Sequence, residues 1–287
     1  MSGQKRAINQ NSPLRRAVRR YRKNKAAMVC LCLFLLILLA CIAAPLVTSQ
    51  DPEMMHLDMV KAPPSREHLM GTDIVGRDLF ARMLYGGRLT FGICFTAIGL
   101  SLFGLVFGVL AGYYGGRVDQ FISRANDALA SIPTFLLAVF IEMCLPSGQG
   151  NYKYAIALAL MPPLVRLSRT LVMEILDSEY IEAARALGVK SLRIAGGHVL
   201  RNISGPLIVQ VASNLSDAIL TCTIMGYLGL GVRMPRVEWG TIVKEGLQSI
   251  LSAPLQIVMP CLVVFICVLS INVIGNGLRD ALAKEER

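Results

Sequence analysis

Hydrophobic and polar positions along this chain are segregated into long blocks rather than alternating within short amphipathic elements. Ala26 to Val47 is a run of 22 residues without a charge, and a helix of that length, at 1.5 Å per residue, crosses a hydrocarbon core of about 30 Å. Leu89 to Gly116 and Ile250 to Leu278 are uncharged and longer still. Ala128 to Leu145 and Ile203 to Val232 are apolar apart from one acid each, Glu142 and Asp217. Both can span if that acid faces protein or water. Tyr154 to Val165 is a run of only 12 uncharged residues containing Pro162 and Pro163, a length that also fits a re-entrant or core segment.

Charge asymmetry decides the sixth segment. Nine of the 29 Lys and Arg residues lie in the first 25 positions, without an acid among them, so the positive-inside rule places the N-terminus in the cytoplasm. Six spans return the C-terminus to the same side. The stretch from Thr48 to Gly87, with four basic and six acidic residues, then falls outside, and Arg166 to Asn202, with six basic and four acidic, falls inside. Without the Tyr154 span the basic stretch would be exported, so the span is kept. The expected organisation is a basic cytoplasmic tail (1–25), a first span (26–47), an extracytoplasmic loop (48–88) and a five-helix core (89–287) whose cytoplasmic loop covers 166–202.

Composition agrees with an all-α integral membrane protein. Apolar residues make up 54% and charged residues 17%, against about 25% charged in a soluble domain; mean hydropathy is +0.55. The net charge of +10 is concentrated in the tail and does not point to nucleic acid. All eight cysteines sit in apolar stretches with no Cys-x-x-Cys pair and read as small buried hydrophobes. His56, His68 and His198 are scattered, so neither a zinc site nor a Cys/His nucleophile pair has partners. A cleaved signal peptide would have a shorter apolar region, and Leu38-Leu39-Ala40-Cys41 fits a lipoprotein cleavage site poorly.

Within the 166–202 loop, Tyr180, Ala183, Ala184 and Leu187 fall at i, i+3, i+4 and i+7, one apolar helical face, with Glu182 and Arg185 off it. Gly188 follows, suited to a left-handed stop. A helix lying in the headgroup layer would carry Lys and Arg on its polar face; Glu179 and Glu182 favour docking into a protein groove instead.

The run EAARALG followed by HVLRN resembles the EAA signature of binding-protein-dependent ABC importer permeases. It matches at Glu182, Ala183, Ala184, Gly188 and Leu200, with Arg201 where the family has Pro. Gly71 to Arg88, GTDIVGRDLFARMLYGGR, is similar to the segment before the second span in the dipeptide, oligopeptide and nickel permease group, and Tyr227–Val232, Trp239–Gly240 and Gly275–Leu282 extend the likeness. The resemblance implies a type I permease fold of six transmembrane helices in the bacterial inner membrane. Its implied partners are a homologous second permease, two ABC ATPase subunits and an extracytoplasmic solute-binding protein. Tyr180, Glu182, Ala183, Ala184, Leu187 and Gly188 would couple to an ATPase. Gly71, Thr72, Asp73, Gly76, Arg77 and Asp78 would lie on the side of the binding protein. ATP and Mg would be bound by the ATPases, because no phosphate-binding Gly-x-x-x-x-Gly-Lys-Ser/Thr occurs in this chain.

From the residues themselves, Thr72 and Asp73 are candidate caps for a helix starting near Ile74, and Gly76, Arg77 and Asp78 for an ion-paired turn. Glu142, near one end of its span, reads as a snorkelling acid. Ser213, Ser216 and Asp217 share one helical face, and with Asn214 they either line a pathway or bond across helices. Gly92, Gly99, Gly104, Gly108 and Gly112 read as close-packing positions. Two other classes compete with the permease reading: a secondary transporter using Asp217 as an ion site, and a membrane enzyme, for which no nucleophile and base stand at a suggestive spacing. Peptides are the expected cargo, with nickel as the alternative.

Overall fold

The computed structural model describes residues 13–145, 151–176, 200–232 and 235–282, and among these there are helices and connecting turns but no strand beyond an isolated Thr72–Asp78 bridge. A basic helix α1 (Pro13–Lys23) is followed directly by α2 (Lys25–Ile42), and the side chain of the intervening Asn24 accepts the Ala27 N–H at 3.1 Å, capping α2. A single turn, α3 (Ala44–Val47), ends the first crossing. Helices α4 (Leu79–Ser101) and α5 (Phe103–Tyr114) form one crossing of 36 residues. Next, α6 (Gly116–Ala130) and α7 (Thr134–Cys144) meet at 97°, where Pro133 has no N–H to continue the ladder. Helices α8 (Tyr152–Ala159) and α9 (Met161–Leu176) form a 25-residue crossing. The chain continues through α10 (Leu200–Leu228), a short α11 (Trp239–Leu247) and α12 (Leu255–Leu282). Among the described residues, five helices are long and apolar enough to cross a membrane, or six when the bent α6–α7 pair counts as one span.

Two boundaries differ from the sequence pattern for physical reasons. The second span starts at Leu79, ten residues before its uncharged run, and its cap is Asp78, whose carboxylate accepts the Ala81 N–H at 2.6 Å; Thr72 and Asp73 do not cap it. The short Tyr154 segment belongs to a crossing that continues through Arg166 and Arg169. Those cations pair with Asp127 (3.0 Å) and Asp119 of α6, so charges that end an apolar run need not end a helix. Pro162 and Pro163 stand in the first turn of α9, where free N–H groups are not missed.

Chain order assigns each element to one of two ends. Gly277 of α12 packs against Ala27 and Tyr21, and Gly205 lies near Leu282, so α1, the start of α10 and the end of α12 share what is here termed the tail end. Residues 48–78, α11 and the start of α12 gather at the opposite, loop end: the Gln256 amide donates to the Thr72 carbonyl at 2.7 Å and Lys61 to Ser252 at 3.0 Å.

Aromatic packing anchors the core near the loop end. Phe91 meets Phe34 and Trp239 edge to face, at 5.8 and 5.2 Å between ring centroids, and the Trp239 indole N–H donates to the Met83 carbonyl at 3.0 Å. Gly87 admits that indole, since a Cβ there would stand 2.7 Å from it and 2.5 Å from the Cys41 sulfur. Along α5, a Cβ at Gly104, Gly108 or Gly112 would come within 3.0 Å of α9, the close approach expected of small residues between membrane helices. Gly92 and Gly99 face open space instead. Of the cysteines, Cys41, Cys94, Cys222 and Cys267 are buried, whereas Cys32, Cys144 and Cys261 are exposed and Cys30 is half-buried. A helix with an apolar solvent on one side has no reason to bury all of them.

Candidate functional sites at the loop end and on the membrane face

The loop before α4 is shaped by its own backbone. Gly71 and Gly76 take φ of +77° and +81°, and a Cβ at Gly76 would lie 1.8 Å from the His56 carbonyl oxygen, so only glycine fits there. The resulting tight fold carries Thr72, Asp73, Arg77 and Asp78 into the interior, where each is at most 5% exposed. Thr72 accepts the Ala62 N–H at 2.8 Å and donates to the Met59 carbonyl.

Asp73 is the hub of a charge cluster. One carboxylate oxygen accepts the backbone N–H groups of Val75 and Arg77, both at 2.9 Å, and the other meets the Arg77 Nε at 2.7 Å and Arg82. Both guanidinium groups also reach Glu245 of α11, Arg77 at 2.7 Å and Arg82 at 2.6 Å. Two cations thus balance two anions, and residues 71–82 are tied to α11. Burial alone would raise the Asp73 pKa, but Arg82, the two N–H donors and Arg77 outweigh it and hold the carboxyl below the usual range. Asp78 accepts from the Ala81 N–H and meets the His68 Nδ1 at 2.8 Å. The expected local turn is therefore real in place but wrong in partners: Arg77 bonds Asp73 and Glu245, and Asp78 bonds His68. Glu245 and His68 carry no motif, and Arg82 lies inside the Gly71–Arg88 stretch without having been singled out; the available hint was a second Arg among apolar residues at the start of a membrane helix.

A further buried acid was not singled out by sequence. Glu238, fully buried, caps α11 by accepting the Gly240 N–H at 2.7 Å and the Thr241 N–H at 2.9 Å, while Thr241 accepts the Glu238 N–H in return. Gly226 and Gly231 wall the carboxylate, since a Cβ at either would come within 3.0 Å of it. Burial raises its pKa to about 7 against the lowering effect of those two N–H groups. A folded-state value above the free one means that this group's stabilising contribution is fully present below about pH 4.5 and is lost as pH rises through 7. The loss amounts to about 3 kcal/mol. Asp73, shifted the other way, acts only below about pH 4, so the windows do not overlap. Melting of the purified protein in detergent should fall from pH 5 to pH 8, and Glu238→Gln should flatten that fall.

The acids inside the spans stand differently. Glu142 has one carboxylate oxygen buried without a hydrogen-bond partner among the described residues, which is not a snorkelling geometry. Asn214 is fully buried, donating to the Leu160 carbonyl at 3.2 Å and accepting from Gln210 at 2.9 Å; its contact is between helices of this chain. Ser216 is also buried, Ser213 is half-buried and Asp217 is exposed on the surface of α10. Gln210, Ser213 and Asp217 share one face of α10, half-buried at the first two and exposed at Asp217, and Gln210 also borders a cleft of about 440 Å³ beside the α6–α7 bend, with Thr134, Thr170 and Arg166. Tyr180, Glu182, Ala183, Ala184, Leu187 and Gly188 lie outside the described residues. The residues that flank them, Leu176 and Leu200, belong to α9 and α10.

Comparison with known proteins accounts for the chain almost end to end. Residues 104–287 match the family described as binding-protein-dependent transport system inner membrane component, and residues 12–64 match the N-terminal TM domain of oligopeptide transport permease C. The dipeptide transport system permease protein DppC of Alkalihalophilus pseudofirmus is 40% identical over 272 residues, 94% of this chain and 90% of that protein. The oligopeptide transport system permease protein OppC of Bacillus subtilis is 34% identical, over 93% and 88% of the two chains. A solved structure of the MetNI methionine ABC transporter in inward-facing conformations superposes with a TM-score of 0.55 at 19% identity, covering 68% of this chain and 93% of that one. At that identity the likeness concerns the fold alone, an all-helical type I permease. With a family match over well over half the chain and near-full-length relatives above 30% identity, the chain belongs to the inner-membrane permease components of binding-protein-dependent transport systems, in the dipeptide and oligopeptide permease group.

Proposed function

We propose that this chain forms half of the translocation pathway of a peptide importer, paired with a homologous second permease, driven by two separate ATPase subunits and supplied by an extracytoplasmic solute-binding protein. The observation that carries the reading is the 40% identity to a dipeptide permease across 90% of that protein's length. The relatives with peptide names give the nickel alternative no comparable support. The chain itself performs no catalysis. ATP binding would move the ATPases against the segment Tyr180–Gly188 and switch the spans between inward-open and outward-open states.

In this reading the tail end is cytoplasmic and the loop end extracytoplasmic, so the glycine-shaped fold around Asp73 presents its outer surface to the binding protein. Sidedness is tested in intact cells, with Cys32, Cys144 and Cys261 replaced by Ser. An impermeant thiol reagent should label Ser65→Cys and not Lys23→Cys; the reverse pattern overturns the assignment.

Asp217 is read as lining the pathway, together with Ser213. An acid exposed by one chain within a membrane span must meet water or another protein rather than lipid, and Asn214 supports its helix from behind. Uptake of a labelled dipeptide should vanish when the gene is deleted and return with the wild-type gene. With Asp217→Asn, complex yield should stay normal while uptake slows about tenfold, the worth of one hydrogen bond to a charge. Uptake of nickel but not dipeptide would defeat the peptide reading, and lost complex yield would defeat the pathway role of Asp217.

A further inference from the structure

Helix α1 carries Arg15, Arg16, Arg19, Arg20, Arg22 and Lys23 and no acid in 11 residues. Arg16, Arg19, Arg20, Arg22 and Lys23 are exposed, and Arg16, Arg19, Arg22 and Lys23 form no ion pair among the described residues. Ala17, Val18 and Tyr21 share the other face. Tyr21 is held against the end of α12, its ring close to Gly277, and its hydroxyl donates to the Ala27 carbonyl at 3.4 Å. Val18 remains 57% exposed.

Position turns this charge pattern into a specific surface. One residue, the capping Asn24, separates α1 from α2, whose sequence is uncharged from Ala26 onward. The C-terminal end of α1, at Lys23, therefore lies within about a turn of the hydrocarbon boundary. The extended backbone of Asn24 breaks the helix between α1 and α2, and Tyr21 at the end of α1 packs against Gly277 of α12. A helix so placed, with an exposed apolar residue on one face and guanidinium groups on the other, has the build of an interfacial amphipathic helix.

We propose that α1 is a binding surface for anionic phospholipid headgroups, with Arg16, Arg19, Arg22 and Lys23 taking phosphates and Val18 entering the acyl boundary. Guanidinium forks match phosphate oxygens two at a time. Each cation near an anionic surface raises affinity about fivefold, and screening sets in beyond about 8 Å at physiological salt. The helix would so hold the first span and the end of α12 together through a shell of bound lipid. This use is separate from the transport reading and stands whatever the cargo.

The test uses the full complex, solubilised from membranes and reconstituted in nanodiscs made from equal phosphatidylglycerol and phosphatidylcholine. Lipid retained through delipidation is counted by mass spectrometry. In R16Q/R19Q/R22Q/K23Q the preference for phosphatidylglycerol should fall at least about tenfold, with subunit yield unchanged. Retained preference overturns the proposal, as does retained preference with loss of the ATPase subunits, which would make α1 a protein-docking helix. If the fourfold variant fails to insert, Val18→Asp keeps every cation, and the wild type can be washed at high salt. Both should lose the preference, and its survival in both would equally overturn the proposal.

Discussion

Glu182→Lys is expected to abolish dipeptide uptake while leaving the chain in the membrane at normal abundance. The segment Tyr180–Leu187 has one apolar face with two alanines at its centre and an acid at its edge, a shape that admits close approach of a partner groove and offers one charge to pair. Reversing a charge in a desolvated interface costs about 2–5 kcal/mol, roughly 30-fold to several thousand-fold in association. Glu182 stands in the polar stretch between the expected fourth and fifth spans, so insertion should be indifferent to it. Gly188→Val is expected to give the same phenotype for a different reason, because a β-branched residue resists the left-handed stop that the sequence pattern predicts there. Co-purification of the ATPase subunits and uptake in the same cells are the measurements. Full uptake with Glu182→Lys would remove the coupling role.

Arg82→Ala should have the largest effect on stability of any single change at the loop end. Its guanidinium is 2% exposed and joins Asp73 of the preceding loop to Glu245 of α11. With the arginine gone, Asp73 and Glu245 share Arg77 alone, and a buried ion cluster that loses one partner is destabilised by about 3–5 kcal/mol. The remaining charge on Asp73 and Glu245 is −2 against +1, so the strain falls on the contact between α4 and α11. Arg82→Lys restores the charge but not the fork, and should recover only part of the loss. Melting in detergent and protease sensitivity of residues 48–78 would report it. Simultaneous Arg82→Met and Glu245→Gln should cost less than the sum of the two single changes, because together they leave one cation facing one anion. Additive losses would show that the cluster does not act as a unit.

Much of the architecture was legible because lipid imposes a length on uncharged runs. The three charge-free blocks coincide with crossing helices, and the positive-inside count correctly retained the weak Tyr154 segment. What misled was charge at the boundaries. Arg82 and Arg88 hid the first ten residues of α4, and Arg166 and Arg169 hid the second half of the α8–α9 crossing, because a sequence window counts each cation as exposed to lipid. In the folded chain Arg82 is neutralised by Asp73 and Glu245, and Arg169 by Asp119. These partners stand 9, 163 and 50 residues away, beyond any local pattern.

The functional residues divide along the same line. The amphipathic face at Tyr180–Leu187, the basic helix α1 and the glycine positions of the loop are local, since helical period and positive φ are set by neighbours in sequence. Sequence alone therefore determined the family, the apolar runs long enough to cross and where charge accumulates. Only the tertiary structure decided that Asn214 faces Leu160 while Asp217 faces outward, that Gly108 meets α9 while Gly92 meets nothing, and that Glu238 is sealed among glycines. All of these are questions of which side of a uniformly apolar helix meets another helix. In a membrane chain both sides are apolar, so hydrophobicity carries no record of that choice, and it is made by side-chain volume and by polar groups that must find partners across helices.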